Sequence, residues 1–227
     1  MMRQRFTTVL LAWLLAVFTL GAANTTSAMS AAGVPARASG SPQAEIFATD
    51  NTAIITDPAD PRLRTHLHRF DRQVRRIVHD NGARTRRSAL LDGVFWSSDL
   101  QQVTYERSRR FDVDRTDMIE LRHIAGLVRK EFHQESVLTF EYLPRTSPRA
   151  DAVRIEVPGL DVRRLHDGLV ADPAARDELF GGSVTMRGQL ILVAELADLD
   201  VARAFVTRIG GDWNGAAIRY GDREFVG

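Results

Sequence analysis

The chain has 227 residues, 30 basic against 29 acidic, a formal net charge of +1 and no cysteine. Near-neutrality excludes a bulk polycation that grips nucleic acid through its net charge, and the missing thiols exclude disulfide frameworks, thiolate nucleophiles and thiolate metal sites. A chain of this size buries about 70% of its unfolded surface without covalent staples.

Arg3 and Arg5 are followed by the apolar run Val9 to Leu20 and the small-residue stretches Gly21-Ala22-Ala23 and Thr26-Ser27-Ala28. That is the layout of a secretory signal. As a helix the run would reach about 18 Å, short of a hydrocarbon core about 30 Å thick. The expectation is a signal peptide over residues 1–28, a secreted or extracytoplasmic location, and no transmembrane span after cleavage. Residues 29–44, rich in Ala, Ser, Gly and Pro, read as a flexible linker.

From Glu45 onward the pattern alternates between strand and helix signals. Ile46-Phe47 and Ala53-Ile54-Ile55 read as a strand or short strand pair closed by Asp57-Pro58. Leu63, Leu67, Phe70, Val74, Ile77 and Val78 recur at helical spacing, which predicts one helix stopped by Asn81-Gly82. Val94-Phe95-Trp96 and Val103-x-Tyr105 flank the turn-like Ser97-Ser98-Asp99 as a hairpin. A second helix carries Met118, Leu121, Ala125, Val128 and Phe132, with Asp114 or Asp117 to cap it, and leads into the alternating strand Ser136 to Tyr142. This β-α-β-β-α-β order predicts a ferredoxin-like subdomain over residues 45–143.

After the Pro144 to Ala150 loop, Val153-x-Ile155-x-Val157 is a strand ended by Pro158-Gly159. Val162, Leu165, Leu169 and Val170 form a short helix, and Asp172-Pro173 begins a further helical turn stopped by Gly181-Gly182. The segment Val184 to Ala194, with Arg187-Gly188 at a turn, contributes the apolar strand Leu190-Ile191-Leu192-Val193; Leu199 to Ile209 forms a last helix, and Ile218 to Val226 a closing strand or hairpin. The second subdomain, residues 151–227, therefore reads β-α-β-α-β. The predicted fold is α+β, with helices packed on one face of an antiparallel or mixed sheet. Two sandwiches in tandem and one longer sheet both satisfy this order.

The helix-to-strand segment Arg129-Lys130-Glu131-Phe132-His133-Gln134-Glu135-Ser136-Val137-Leu138 resembles the closing segment of an uncharacterised family of small exported bacterial α+β proteins. The resemblance spans about ten residues and implies fold and export alone, with no activity or site residues to carry over.

Few motifs carry chemistry. His66-x-His68-x-x-Asp71 matches a metallohydrolase spacing, but inside a helix residues two apart point about 200° from each other, so no metal site is expected. Gly181-Gly182-Ser183 lacks the second glycine of a nucleophile elbow, and no glycine pair is followed by the lysine of a phosphate loop. Ser97-Ser98-Asp99 with His123 would make a serine and base pair, although their spacing requires no contact. Glu106, Glu141 and Glu156 lie on predicted strands, where a polar residue between apolar ones ordinarily faces water. No catalytic residues and no cofactor are assigned.

Charge segregation stands above this background. Residues 62–87 hold nine arginines against Asp71 and Asp80, while residues 151–227 hold nine basic and thirteen acidic residues. Arg72, Arg75, Arg76, Arg84, Arg86 and Arg87 are the candidate binding residues, suited to an acidic partner, a polyanion or an anionic surface rather than to specific nucleic-acid recognition. The same arginines also read as a solvated face whose stems shield the apolar stripe beneath. The leading reading is an exported, non-catalytic binding or interaction module; the competing one is an exported hydrolase with a dispersed carboxylate or Ser-His site.

Overall fold

A computed structural model describes residues 43–227 of the chain. The predicted signal peptide and nearly all of the predicted linker lie outside the described residues. Eight strands and four α-helices follow in the order β1 (Ala44–Ala48), α1 (His68–Asp80), β2 (Arg84–Ser97), β3 (Gln102–Asp114), α2 (Met118–Glu131), β4 (Val137–Tyr142), β5 (Ala152–Pro158), α3 (Val162–Ala171), β6 (Gly181–Thr185), β7 (Gln189–Glu195), α4 (Leu199–Arg208) and β8 (Ala217–Val226). A five-residue π-helical turn (Ala175–Leu179) precedes β6, and 3-10 turns occupy Pro61–Arg64 and Leu196–Asp198.

The strands close into one barrel in the order β1-β3-β2-β6-β7-β5-β8-β4. Every neighbouring pair, including β4 with β1, is antiparallel. This corrects the expected ferredoxin-like open sheet. β2 pairs with β6 and β4 pairs with β8, so each edge of the first half is consumed by the second, and closure leaves no unpaired edge. The second half is also not β-α-β-α-β. The expected turn at Arg187-Gly188 is present, Gly188 at φ 71° donating to the Thr185 carbonyl, but the residues before it form a strand of their own, so β6 and β7 stand where one strand is expected. Gly181 and Gly182, read as a helix stop, are instead the first residues of β6, and the preceding turn ends at Phe180 with φ 58°.

Helix starts follow local chemistry. Asp117 caps α2 by accepting from the Glu120 amide at 2.9 Å, and Asp161 caps α3 by accepting from that of Arg164, each satisfying an amide the helix leaves unpaired. The first helix is shorter than its apolar stripe predicts. Leu67, at φ 51°, breaks it, because the preceding turn is tied to β3 instead: Arg107 donates to the Thr65 carbonyl at 2.9 Å and Arg109 to that of His66 at 2.7 Å.

Two apolar clusters lie outside the barrel, beneath the helices. Phe70, Val74 and Val78 of α1 and Leu121, Ile124 and Val128 of α2 cover Ile46, Phe111 and Val137. Leu165 and Leu169 of α3 and Phe205 and Val206 of α4 cover Ile155, Val157 and Leu192. Since strand side chains alternate faces, the other face of every strand lines the barrel interior. Glu45, Arg110, Asp112, Arg154 and Glu156 occupy these inward positions, as the register between β1, β3 and β5, β7 requires.

Candidate functional site

The inward residues of β3 read Thr104, Glu106, Ser108, Arg110 and Asp112 from one mouth of the barrel to the other. The first three line a cavity of about 730 Å³ and the last two a separate cavity of about 930 Å³. Between them Leu91 and Phe140, both wholly buried, fill the middle of the barrel.

Phe47, Phe95, Leu138, Ile191 and Val193 wall the first cavity. Ile54, Phe180 and Phe225 line it as well and remain more than half exposed, at 66%, 53% and 59%, which gives the entrance an apolar rim. Ile54 and Ile55 arrive on the loop after β1, pinned where the Tyr105 amide donates to the Ile55 carbonyl at 2.7 Å. The predicted strand at Ala53 to Ile55 is thus a single bridge, because the loop crosses β3 at one point only.

Glu106 is set among these walls, with Thr104, Ser108, Gln134, Ser183 and Arg223 also on the lining. Its neighbours across β2 and β6 are Gly93 and Ser183, and a Cβ on Gly93 would sit 2.5 Å from the Phe95 ring and 3.3 Å from Glu106 Cβ, so the bare backbone makes room chiefly for that ring beside Glu106. Burial pushes the Glu106 carboxyl above the ordinary carboxylate range, with the Ser108 hydroxyl as the opposing influence. No cation lies within ion-pair distance of it among the described residues. Below about pH 4.5 both folded and unfolded chains hold this proton. As pH rises further the unfolded chain releases it first, so stability falls until the folded-state value is passed. Glu106→Gln is therefore expected to raise the melting temperature at pH 7 to 8, with the gain shrinking toward pH 4. A gain independent of pH would show that the carboxyl is not buried as described.

The second cavity is ionic. Arg154 Nε lies 2.5 Å from Glu45 and its Nη2 contacts Glu156; Arg110 reaches Glu156 at 2.9 Å and both Glu45 and Asp112 at 3.4 Å. Burial raises Glu45 above its ordinary range against the pull of Arg154 and Arg110, whereas in Glu156 those two arginines outweigh burial and hold it low. Burial and the charge of Glu45 push the neighbouring Tyr142 hydroxyl upward. Arg110, Arg154, Glu45 and Tyr142 escaped the sequence reading. Their one signal was a charged or polar residue alternating with apolar ones, which an outward-facing strand displays equally well.

The six candidate arginines divide. Arg84, Arg86 and Arg87 line the second cavity; Arg72, Arg75 and Arg76 sit on α1 and do not. Arg75 is engaged by Asp71 at 3.0 Å. Arg86 lies in a β-bulge between Thr85 and Arg87 and pairs with Asp114 at 2.9 Å; such a bulge re-aims consecutive side chains. His66 lies before α1 and its ring stacks on His68 with centroids 5.5 Å apart, which corrects the expectation that the two point apart. Asp71 is taken by Arg75 and Arg109. His123 is exposed on α2 and does not line the cavity that Ser97 lines. Of the strand glutamates, Glu106 and Glu156 face the interior rather than water, in different cavities, while Glu141 pairs with Arg149 outside it.

No protein-family model and no curated protein sequence matches the chain. A solved structure described as a "putative monooxygenase" from Lactobacillus acidophilus aligns over 81% of this chain and 94% of its own, at 13% identity. Its TM-score against this chain is 0.26. Among the described residues no helix is long and apolar enough to cross a membrane, and no group of three or more His, Asp or Glu side chains is placed to hold a metal ion.

Proposed function

We propose that this protein is a binding module that takes a small, mostly apolar ligand into the first barrel cavity, with Glu106 as the polar anchor. The observation that carries this reading is the cavity of about 730 Å³, apolar over most of its lining, into which Glu106 sets a half-buried, desolvated carboxyl that has no cationic partner among the described residues. Ligand pockets commonly enclose about 300 to 1,000 Å³ and combine apolar walls with a few placed polar groups. A protonated Glu106 donates a hydrogen bond to a ligand carbonyl or hydroxyl oxygen, and an ionised one accepts from a ligand amine. The competing hydrolase has less behind it, since Glu106, Glu141 and Glu156 sit in three different surroundings.

Titration with the neutral fluorophore N-phenyl-1-naphthylamine tests the proposal. Saturable fluorescence enhancement is expected, and the double variant Leu138→Trp, Val193→Trp, which fills the cavity from two walls, should weaken it at least about tenfold, or about 1.4 kcal/mol. The variant's melting temperature confirms that it folds. Probe binding that the folded variant leaves unchanged would sink the proposal, as would the absence of saturable binding.

A further inference from the structure

We propose that the opposite mouth of the barrel binds a compact multivalent oxyanion, a phosphorylated or multiply carboxylated small molecule. The second cavity is lined by seven arginines and three carboxylates, in a chain whose overall formal charge is only +1. The carboxylates are already committed. Glu45, Asp112 and Glu156 are gathered around the deep guanidinium groups of Arg110 and Arg154, and Arg86 is matched by Asp114.

Four exposed arginines at the same mouth, Arg84, Arg87, Arg187 and Arg219, have no carboxylate within 4.0 Å among the described residues. They come from three separate segments: the start of β2, the turn between β6 and β7, and β8. No run of sequence brings them together; barrel closure does. Arg219 is held over the Tyr142 ring, its guanidinium carbon 5.3 Å from the centroid, and stands opposite Arg154 in the β5–β8 register.

Guanidinium groups so collected repel one another and gain most from an anion that several can grip at once, since each presents a planar fork of donors matched to phosphate or carboxylate oxygens. The concave shape selects the size of the partner. A cavity of about 930 Å³ ringed by arginines admits a small anion, whereas a duplex or a bilayer would reach only the rim. The site is independent of the ligand proposed for the first cavity, from which Leu91 and Phe140 separate it.

The test is calorimetric titration of the full chain with pyrophosphate and with citrate, against sodium chloride at matched ionic strength. Saturable binding of at least one multivalent anion is expected, and the tighter of the two identifies the phosphate or carboxylate class. Arg87→Gln with Arg187→Gln should weaken that binding about tenfold or more. Arg72→Gln with Arg76→Gln, two exposed positions outside the cavity, should leave it unchanged. Both pairs are surface substitutions, and their melting temperatures without ligand confirm folding. Failure of both anions to bind saturably overturns the proposal, and so does equal weakening by the two pairs.

Discussion

Arg154→Met is expected to destabilise the fold by about 3–5 kcal/mol, the usual effect of removing one partner from a buried ion pair. Arg154 is 2% exposed and lies between Glu45, 1% exposed, and Glu156. Taking it away leaves Glu45 with only Arg110 at 3.4 Å to offset a burial that already raises its carboxyl. Glu45 then holds its proton to higher pH in the folded chain than in the unfolded one. The loss should therefore be largest at neutral pH and shrink as pH falls toward the ordinary carboxylate range. Adding Glu45→Gln removes the stranded charge, so the double variant should recover part of the loss. Urea unfolding at pH 7 and pH 5 measures both effects. Strictly additive losses in the double variant would mean that Arg154 and Glu45 do not act as a pair.

Gly221→Ala is expected to cost about 3 kcal/mol, at the upper end for overpacking. Gly221 stands in β8 opposite Tyr142 of β4 and Ala152 of β5, on a seam where the two halves of the barrel meet. A Cβ there would overlap the Glu141 carbonyl oxygen and lie 2.6 and 2.7 Å from two carbons of the Phe140 ring. The carbonyl is backbone and cannot swing aside, and Phe140 is fixed in the middle of the barrel. Gly126→Ala on α2, where the nearest atom outside its own helix would be Val226 Cγ1 at 4.0 Å, is the matched comparison and should not destabilise. Denaturant midpoints for the two variants decide the matter. If Gly221→Ala is as stable as the unaltered protein, β4 and β8 do not pair as described.

Elements set by neighbouring residues were legible in the chain. The hairpin around Ser97-Ser98-Asp99 is there, although β2 and β3 extend to 14 and 13 residues. Arginines at 84, 86 and 87 disguised the first part of β2, because a basic run directly after a helix looks like an extension of that helix's charged face. The Asp117 cap and the strand after α2 were legible for the same reason: a cap and an alternating pattern act within a few residues. The break at Leu67 was hidden, since it depends on Arg107 and Arg109, some forty residues away in sequence.

The two cavities were out of reach for a related reason. Alternation along a strand separates an apolar face from a polar one without saying which is inside. In an open sheet under helices the polar face meets water, and Glu106, Arg154 and Glu156 would be surface residues. Once β2 meets β6 and β4 meets β8, that face becomes the lining of an enclosed space. Closure depends on pairing between strands up to about ninety residues apart, so it leaves no mark on any local stretch of sequence. Composition, the locally signalled helices and strands and the absence of thiol chemistry can be read from the amino acids in order; the buried charges and both candidate sites exist only because both edges of the first half met those of the second.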